Sequence, residues 1–435
     1  MSNKGQKLWQ RAKKIIPGGG MLLSKRAEMF LPDLWPAYFS KAKGCEVWDL
    51  DNNHYFDLSL MGVGTNILGY CNDQIDNQVK SVVSQGNMST LNCAEEVQLC
   101  EKLIEVNPWS DMVRLARTGG EANAIAVRIA RAASGKDGVA ICGYHGWHDW
   151  YLATNLNQED DLGEHLLPGL DTAGIPKNLK NTTFPFKYND FLSLEKLVNE
   201  KSIGVIKMEV CRNELPKDNF LGKIRDLATA NNIVLIFDEC TSGFRQSFGG
   251  LHKVFGIEPD IAIYGKALGN GYAITAVVGK KEIMEHAQSS FISSTFWTER
   301  IGPAAAIKTL ELMKSTKSWE VISSNGLHIK KKWQELFEAY KIPIVISGID
   351  ALPSFSFDTY SLEYKTFITQ EMLKRGYLAG TSVYVSVAHS KDIIDKYLSE
   401  FEDVLFKLSN IIENELNIID FLDGPVCHSG FQRLN

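Results

Sequence analysis

The sequence predicts an α/β protein with a central, mostly parallel sheet flanked by helices and a smaller α+β domain built from both termini. From about residue 73 to Pro303, short apolar segments alternate with helical patterns. Several of these segments are continuously apolar, which is typical of parallel strands covered on both faces. At 435 residues, the chain is also long enough for a large core and a second, smaller unit.

The N-terminal segment, residues 1–72, is predicted to belong to the smaller domain. Two strand-like runs flank Asp51–Asn53, and this arrangement predicts a hairpin. A first helix is predicted from one apolar stripe, which Pro17 ends: Leu8, Ala12, Ile15 and Ile16.

Residues 73–310 are predicted to form the large domain, and residues 311–435 to form the C-terminal part of the small one. Beyond Pro303 the stretch "AAAIKTLELM" predicts a helix, and weaker strands are predicted in "IPIVISGI" and "YVSVAH". The strands predicted in the large domain are Met112–Ala116, Val139–Cys142, Gly204–Val210, Ile233–Cys240, Ile261–Tyr264 and Thr275–Gly279.

Composition and charge argue against several classes of protein. A net charge of -6 does not predict a positively charged surface for binding nucleic acid, so nucleic acid is not an expected partner. No apolar run approaches membrane-spanning length, and the basic start "MSNKGQKLWQRAKKIIPGGG" has no apolar signal core; a transit peptide is the alternative to a first helix. Eight scattered cysteines without CxxC pairs predict reduced thiols, a cytoplasmic location and no zinc site.

Two turns follow predicted strands of the large domain; one is rich in glycine and the other in aromatic rings. Ligands of open α/β sheets bind at the carboxyl ends of the strands, where these turns lie. In "RTGGEA", Gly119 and Gly120 lead into a helix whose first N–H groups suit a phosphate, although Thr118 could simply cap that helix. In "GYHGWHD", the ring of Tyr144 and its neighbours could stack on a flat heteroaromatic ligand or merely pack the loop. A metal on Cys142, His145 and His148 is disfavoured because no second ligand pair follows.

Charged residues end two further strands and open the next turn. Asp238 and Glu239 follow an unbroken apolar run and need a partner, since an unpaired buried charge is unfavourable. Glu209 ends the preceding strand, so a metal is one alternative and a cationic ligand atom is another. Lys266, in "IYGKALGNG", is either a salt-bridge partner for these acids or a nucleophile.

Taken together, the four features match the requirements of pyridoxal 5′-phosphate (PLP). A lysine forms a Schiff base with its aldehyde, and an aspartate pairs with its pyridinium nitrogen. That pairing keeps the ring protonated, so the ring can accept the electrons released when the Cα–H bond of a substrate breaks. The displaced lysine amine can then transfer protons as general base and acid.

The order of these motifs resembles that of the class III aminotransferases of PLP fold type I, particularly the glutamate-1-semialdehyde aminomutase-like branch. The resemblance rests on "TGGEA", "GYHGWHD", "IFDECTSGFR" and "YGKALGNG" and extends over nearly the whole chain. It implies a homodimer with active sites at the interface. It also implies roles for particular residues: Lys266 as the Schiff-base lysine, Asp238 at the pyridinium nitrogen, Tyr144 against the ring, Gly119 and Gly120 at the phosphate, Glu209 as a supporting acid, and Thr298, with Thr295 as its rival, at the partner's phosphate.

Some positions depart from the aminomutase pattern. Val63 stands where the aminomutase commonly has tryptophan, and Arg117-Thr118 replaces Asn-Ser. Arg26 lies where the aminomutase has a substrate-binding arginine. Other stretches, such as "SSTFWTERIGPAA", resemble aminotransferases of surface-polysaccharide (lipopolysaccharide) amino-sugar pathways, among them 8-amino-3,8-dideoxy-manno-octulosonate synthases.

The resemblance therefore implies amino transfer from glutamate to an aldehyde or ketone of a sugar acid, an oxidised 3-deoxy-octulosonate among the candidates. Two alternatives stay open at the level of the sequence. One is glutamate-1-semialdehyde 2,1-aminomutase activity, which needs no separate amino donor. The other is a protein that retains the PLP fold as a non-catalytic binding module.

Overall fold

The structure is a computed structural model that describes residues 3–158, 161–163, 168–211, 213–431 and 434. It divides into two compact units. One comprises Met1–Asn72 together with Glu320–Asn435, and the other comprises Asp73–Trp319. The domain boundary predicted after residue 310 falls within a helix, Ile301–Thr316.

The elements are numbered along the described chain. The strands are β1 (Phe39–Lys43), β2 (Glu46–Asp49), β3 (His54–Leu58), β4 (Met112–Ala116), β5 (Gly138–Cys142), β6 (Thr183–Pro185), β7 (Ile203–Glu209), β8 (Val234–Glu239), β9 (Ile261–Tyr264), β10 (Thr275–Gly279), β11 (Val345–Ser347), β12 (Ser354–Ser356) and β13 (Tyr377–Ala379). The α-helices are α1 (Lys4–Ile15), α2 (Met61–Gly64), α3 (Asp73–Ser84), α4 (Ala94–Val106), α5 (Gly119–Ser134), α6 (Asp149–Leu152), α7 (Phe191–Glu200), α8 (Phe220–Ala230), α9 (Lys281–Met284), α10 (Ile301–Thr316), α11 (Ser318–Ala339), α12 (Ser361–Lys374) and α13 (Lys391–Glu413).

Seven strands of the Asp73–Trp319 unit form one sheet in the order β4-β10-β9-β8-β7-β5-β6. Neighbouring strands run parallel except β10, which is antiparallel to both β4 and β9. The predicted α/β fold with a mostly parallel sheet is therefore confirmed. All six strands predicted in the large domain are present.

Helix α5 covers one face of this sheet because its inward side is apolar and narrow. Ala122, Ala126 and Ala130 are completely buried, and their small side chains let the helix lie close to the strands. The residues they pack with alternate along the strands, as the two-residue period of a strand requires: Val205 on β7, Val234 and Ile236 on β8, and Ile261 and Ile263 on β9.

The start of α5 is fixed by a capping box. The Thr118 hydroxyl accepts the Glu121 N–H, and the Glu121 carboxylate accepts the Thr118 N–H at 2.9 Å. At the other end, Gly135 takes the left-handed conformation that commonly terminates helices. The capping role that the sequence suggested for Thr118 is confirmed.

In the other unit, the hairpin predicted around Asp51–Asn53 is confirmed. Strands β2 and β3 are antiparallel, and the Asp49 carboxylate accepts the N–H groups of Asp51 and Asn53 in the turn. Strand β13 extends this sheet by pairing parallel to β3.

Two sequence predictions in this unit were wrong in detail. Helix α1 forms, but Leu8 and Ile15 are exposed and its buried side is centred on Trp9, whose indole N–H donates to Glu28 at 3.0 Å. The stretch "YVSVAH" is not a strand, because its backbone N–H groups bond to three different segments. Their acceptors are the carbonyls of Ser59, Ala351 and Ile67.

A buried histidine makes this unit sensitive to acid. His389 is completely buried, its Nδ1 accepts the Ser386 N–H at 3.2 Å, and its Nε2 lies 2.8 Å from the Asp57 carbonyl oxygen. Because both ring nitrogens are engaged by a donor and an acceptor, the ring is held neutral. Burial lowers the pKa of His389 to about 4, against the weaker opposing effect of the Asp57 carbonyl.

We predict that His389 destabilises the fold as pH falls from about 6.5 to about 4. In that range the unfolded chain binds a proton that the folded chain does not, and the difference in pKa corresponds to roughly 3 kcal/mol. His389→Gln should flatten the pH dependence of the urea-unfolding free energy by about that amount. Equal slopes for His389→Gln and the wild type would contradict the prediction.

Candidate active site

The carboxyl ends of adjacent parallel strands bring the predicted site residues to one edge of the sheet. Glu209 at the end of β7 is the direct neighbour of Asp238 on β8. The turn after β5 contains Tyr144 and His145, and Lys266 follows β9. Ligands of open α/β sheets bind at this kind of edge.

Asp238 is a buried carboxylate held from three directions. Its Oδ2 lies 2.9 Å from Nδ1 of His145 and 3.3 Å from Nζ of Lys207, while its Oδ1 accepts the Cys240 N–H at 3.1 Å. Burial raises the pKa of Asp238, but the Lys207 ammonium and the His145 ring outweigh burial and hold that pKa well below its usual range. Asp238 is therefore ionised at neutral pH.

Both ring nitrogens of His145 face acceptors: Nδ1 lies 2.9 Å from Oδ2 of Asp238, and Nε2 lies 3.2 Å from the Cys142 carbonyl oxygen. Burial lowers the pKa of the imidazole and the charge of Lys207 lowers it further, while Asp238 opposes both effects. His145 is thus occupied by the carboxylate, which removes it from the metal-ligand set considered from the sequence.

Lys207 was missed as a site residue at the sequence level. It lies on β7 with its side chain completely buried, and Asp238 is its ion-pair partner. The signal in the sequence is a lysine inside the otherwise apolar segment "IGVIKMEV", since such a residue needs a buried counter-charge.

Glu239 faces the opposite side of the sheet from Asp238, because successive strand residues alternate. Its Oε1 accepts both the backbone N–H and the ring Nδ1–H of His252, each at 2.9 Å, and its other oxygen accepts the Ser242 hydroxyl. The indole N–H of Trp109 donates to Nε2 of His252 at 3.1 Å, which fixes the tautomer of that ring. Glu239 is therefore a structural acid of the core.

Glu209 supports the turn that holds Tyr144. Its Oε2 accepts the Tyr144 backbone N–H at 3.1 Å. The turn approaches so closely that a Cβ at Gly143, where φ is 106°, would lie 2.5 Å from the same oxygen. The Tyr144 ring contacts Tyr151 edge-on at 6.1 Å between centroids. The cofactor-binding roles of Glu209 and Tyr144 stay predictions.

The same turn packs on the glycines at the start of α5. A Cβ on Gly120 would lie 2.8 Å from Cε1 and 2.9 Å from Nδ1 of His148, whereas a Cβ on Gly119 would have ordinary clearance from Cys240. A side chain at position 120 would therefore require the His148 ring to move. Within the described chain, the buried Nδ1 of His148 has no hydrogen-bond partner, so an unsatisfied polar atom faces the helix start that the sequence assigns to a phosphate.

Lys266 sits in a strained backbone conformation at the first residue of a short 3₁₀ turn, Lys266–Gly269. Its φ is 36°, in the left-handed region, and such strain is concentrated at functional sites. Its Nζ donates to the Thr241 hydroxyl at 2.8 Å, just beyond the end of β8. The buried ion pair of Asp238 is made by Lys207, so the salt-bridge interpretation offered for Lys266 does not describe this carboxylate.

Thr298 and Arg26 lie in different units of the chain. Thr298 is exposed in a 3₁₀ turn with Thr295, whose carbonyl accepts its hydroxyl at 2.9 Å. The guanidinium of Arg26 lies 5.7 Å from the ring centroid of Phe431. Their phosphate- and substrate-binding roles stay predictions.

In the part of the chain that the structure describes, no group of three or more His, Cys, Asp or Glu side chains is arranged to hold a metal ion. None of the described helices combines the length and apolarity needed to cross a membrane.

Comparison with known proteins identifies the family. The model of the family "Aminotransferase class-III" matches residues 32–405. The chain is 34% identical to 3-aminobutyryl-CoA aminotransferase of Cloacimonas acidaminovorans, over 81% of this chain and 83% of that protein. It is 30% identical to glutamate-1-semialdehyde 2,1-aminomutase of Methanothrix thermoacetophila, over 92% of this chain and 96% of that protein. Among solved structures, the PLP form of the FumI protein of Sphingopyxis sp. MTA144 shares the fold with a TM-score of 0.86 and 23% identity, over 97% of this chain and 100% of that one.

The chain belongs to the class-III aminotransferase family. It is an enzyme whose cofactor is pyridoxal 5′-phosphate, and its fold is PLP fold type I. The predicted family, fold class and cofactor are confirmed, and the non-catalytic alternative is set aside.

Arg117 is a second residue whose contacts the sequence did not reveal. Its Nε lies 2.9 Å from the Glu299 carboxylate, and another guanidinium nitrogen donates to the carbonyls of Trp297 and Glu299. The Glu299 carboxylate also accepts N–H groups at the start of α10. This largely buried pair ties the residue before Thr118 to the turn that contains Thr298.

We predict that Arg117→Met lowers the free energy of unfolding of the Asp73–Trp319 unit by about 3 kcal/mol, because it leaves Glu299 buried without its cation. Amide hydrogen exchange at residues 295–299 should quicken as well. Lys196→Met is the control, since Lys196 and Glu200 form an exposed pair and the change should be below about 0.5 kcal/mol. Equal effects of the two substitutions would refute the assignment.

Proposed function

We propose that the chain transfers an amino group from glutamate to the carbonyl of a sugar acid. The observation that supports transfer chemistry best is that the strained Lys266 follows β9 while the ionised Asp238 lies at the end of the adjoining strand β8, at the same sheet edge. The start of α5 adds a site suited to a phosphate.

The residues at this edge fit PLP. Asp238 would hold the ring nitrogen, since its Oδ1 accepts one N–H and a carboxylate oxygen has a second lone pair. The N–H groups of Gly119 and Gly120 open a 16-residue helix and have no partner within it, so they would hold the phosphate. His148 offers the unsatisfied Nδ1 beside them. Tyr144 would contact the ring face.

The bound cofactor supplies an electron sink for the bond broken at the substrate's Cα. Asp238 keeps a negative charge next to the ring nitrogen and so favours its protonated form. Lys266 would move the proton at Cα, because its amine can act as general base and then general acid. Its contact with Thr241 holds the amine near the end of β8, within the same turn region as Asp238.

The proposed acceptor is an aldehyde or ketone of an oxidised 3-deoxy-octulosonate, in the biosynthesis of surface-polysaccharide amino sugars. Three stretches resemble such aminotransferases: "PGGGMLLSKRAEMFLP", "SSTFWTERIGPAA" and "GPVCHSGFQRLN". Val63 adds to the argument, because it stands where the aminomutase commonly has tryptophan beside its substrate. Arg26 is the proposed substrate-carboxylate ligand.

The second candidate is glutamate-1-semialdehyde 2,1-aminomutase. Relatives with that name match more than nine-tenths of this chain at 28–31% identity. An aminomutase needs no separate donor, so the two functions separate in a single assay.

We further propose a cytoplasmic homodimer whose interface includes the turn of Thr298. Supporting this, Trp147, Phe291 and Phe296 expose large aromatic surfaces on the Asp73–Trp319 unit. A cleft of about 760 Å³ lies beside α5 and is lined by Trp147, Phe291 and Trp297. Exposed apolar patches of this kind mark interfaces. Sedimentation of the wild-type chain as a monomer would contradict the dimer.

We predict that Lys266→Ala folds and still binds PLP but forms 2-oxoglutarate from glutamate at least about 10³-fold more slowly, because no other amine replaces its proton transfer. Lys280→Ala is the control; Lys280 pairs with Asp260 in the same unit, 3.0 Å away, and should retain wild-type rates. Turnover of Lys266→Ala within threefold of the wild type would refute the catalytic assignment.

A screen of carbonyl acceptors tests the substrate. The enzyme is first converted to its amino form with glutamate, and sugar acids oxidised at the terminal carbon are then added. We predict amine transfer to the octulosonate and no formation of 5-aminolevulinate from glutamate-1-semialdehyde alone. Efficient formation of 5-aminolevulinate without a donor would instead establish the aminomutase.

A further inference from the structure

Lys207 is a buried cation that the proposed mechanism does not use. Its side chain and that of Asp238 are 0% and 3% exposed, and Nζ lies 3.3 Å from Oδ2. Such a pair is weak evidence for stability, because an ion pair of this kind can often be replaced by apolar residues without loss. Its presence at the sheet edge therefore calls for a functional explanation.

The formal charges around Asp238 show what Lys207 changes. Lys207 on β7 contributes one positive charge, while Glu209 on the same strand and Asp238 contribute two negative ones. His145 contacts the same carboxylate, and Cys240 and Lys266 are the other titratable groups near this point. Lys207 is the lysine paired directly with Asp238, so removing its ammonium changes the charge beside that carboxylate by one unit.

The geometry assigns Lys207 as a positioning residue. We propose that its ammonium keeps Asp238 ionised and oriented before the cofactor arrives, so that the carboxylate can receive the ring N–H across the working pH range. Lys207 and His145 both engage Oδ2, which leaves Oδ1 with the Cys240 N–H as the oxygen presented to a ligand. This inference rests on the proposed PLP site, but not on the identity of the substrate.

Removing the ammonium has a definite consequence for Asp238. Burial favours the protonated acid, and without Lys207 it is opposed by the His145 ring and the Cys240 N–H. In Lys207→Met the carboxyl would therefore take up a proton at higher pH than in the wild type. A protonated Asp238 has no negative charge with which to hold a cationic ring nitrogen.

Two measurements with opposite pH trends test the proposal. The first is the Kd of PLP, measured by equilibrium dialysis between pH 5.5 and 8. The ratio of the Lys207→Met value to the wild-type value should rise as pH falls, by up to about tenfold per pH unit. The second is urea unfolding of the cofactor-free chains. In that measurement, the loss of unfolding free energy caused by Lys207→Met should grow as pH rises. The reason is that the folded state must then hold an ionised Asp238 without its cation.

Further variants separate charge from packing. Lys207→Gln keeps a donor without charge and should behave like Lys207→Met. In an Asp238→Asn background, adding Lys207→Met should introduce no pH dependence. Lys280→Met, which removes the cation of the Lys280–Asp260 pair, is the matched control. The ratio of its Kd for PLP to the wild-type Kd should not change with pH.

Several results would overturn the proposal. A Kd ratio that is constant with pH would mean that Lys207 contributes packing alone. If Lys207→Met does not fold, Lys207→Met/Asp238→Asn provides the test, since it removes both charges. Restored folding of the double variant supports the charge role, and equal failure refutes it. Failure of the wild type to bind PLP would refute the proposed function instead, while the unfolding series would still report on Lys207.

Discussion

The burial of one carboxylate, Asp238, is the constraint on which the site depends. A charge without water needs partners, and the fold supplies them from separate parts of the chain. Lys207 comes from the neighbouring strand β7, and His145 comes from the turn after β5, 93 positions earlier in the sequence. Because the partners are fixed before any ligand binds, the carboxylate is ionised and oriented in the protein itself. This arrangement is the preorganisation that electrostatic catalysis requires.

The two-residue period of β8 directs its two acids to opposite sides of the sheet. Asp238 faces the side on which α5 packs, whereas Glu239 accepts hydrogen bonds from His252 and Ser242 on the other side. A shift of one residue in register would exchange these roles. Every residue of β8 is buried, so the two sides of the strand differ in the partners that they offer to an acid: Lys207 and His145 on one side, and His252 and Ser242 on the other.

The sequence predicts the large sheet well because its strands are short apolar runs bounded by clear turn residues. It predicts the long-range pairing of charges poorly. Lys207 lies among apolar residues, and only the register between β7 and β8 places it near Asp238. Arg117 likewise meets Glu299 through a contact that spans 182 positions. The stretch "YVSVAH" has a strand-like pattern, yet its backbone partners lie in three segments, and no local pattern contains that information.

We propose that the amine of Lys266, rather than that of Lys207, engages the aldehyde of the cofactor. Borohydride reduction of the PLP-loaded wild-type chain, followed by proteolysis and mass spectrometry, tests it directly. We expect a pyridoxyl-phosphate label on the peptide containing Lys266 and no label on that containing Lys207. A label on Lys207, or on neither lysine, would refute this assignment.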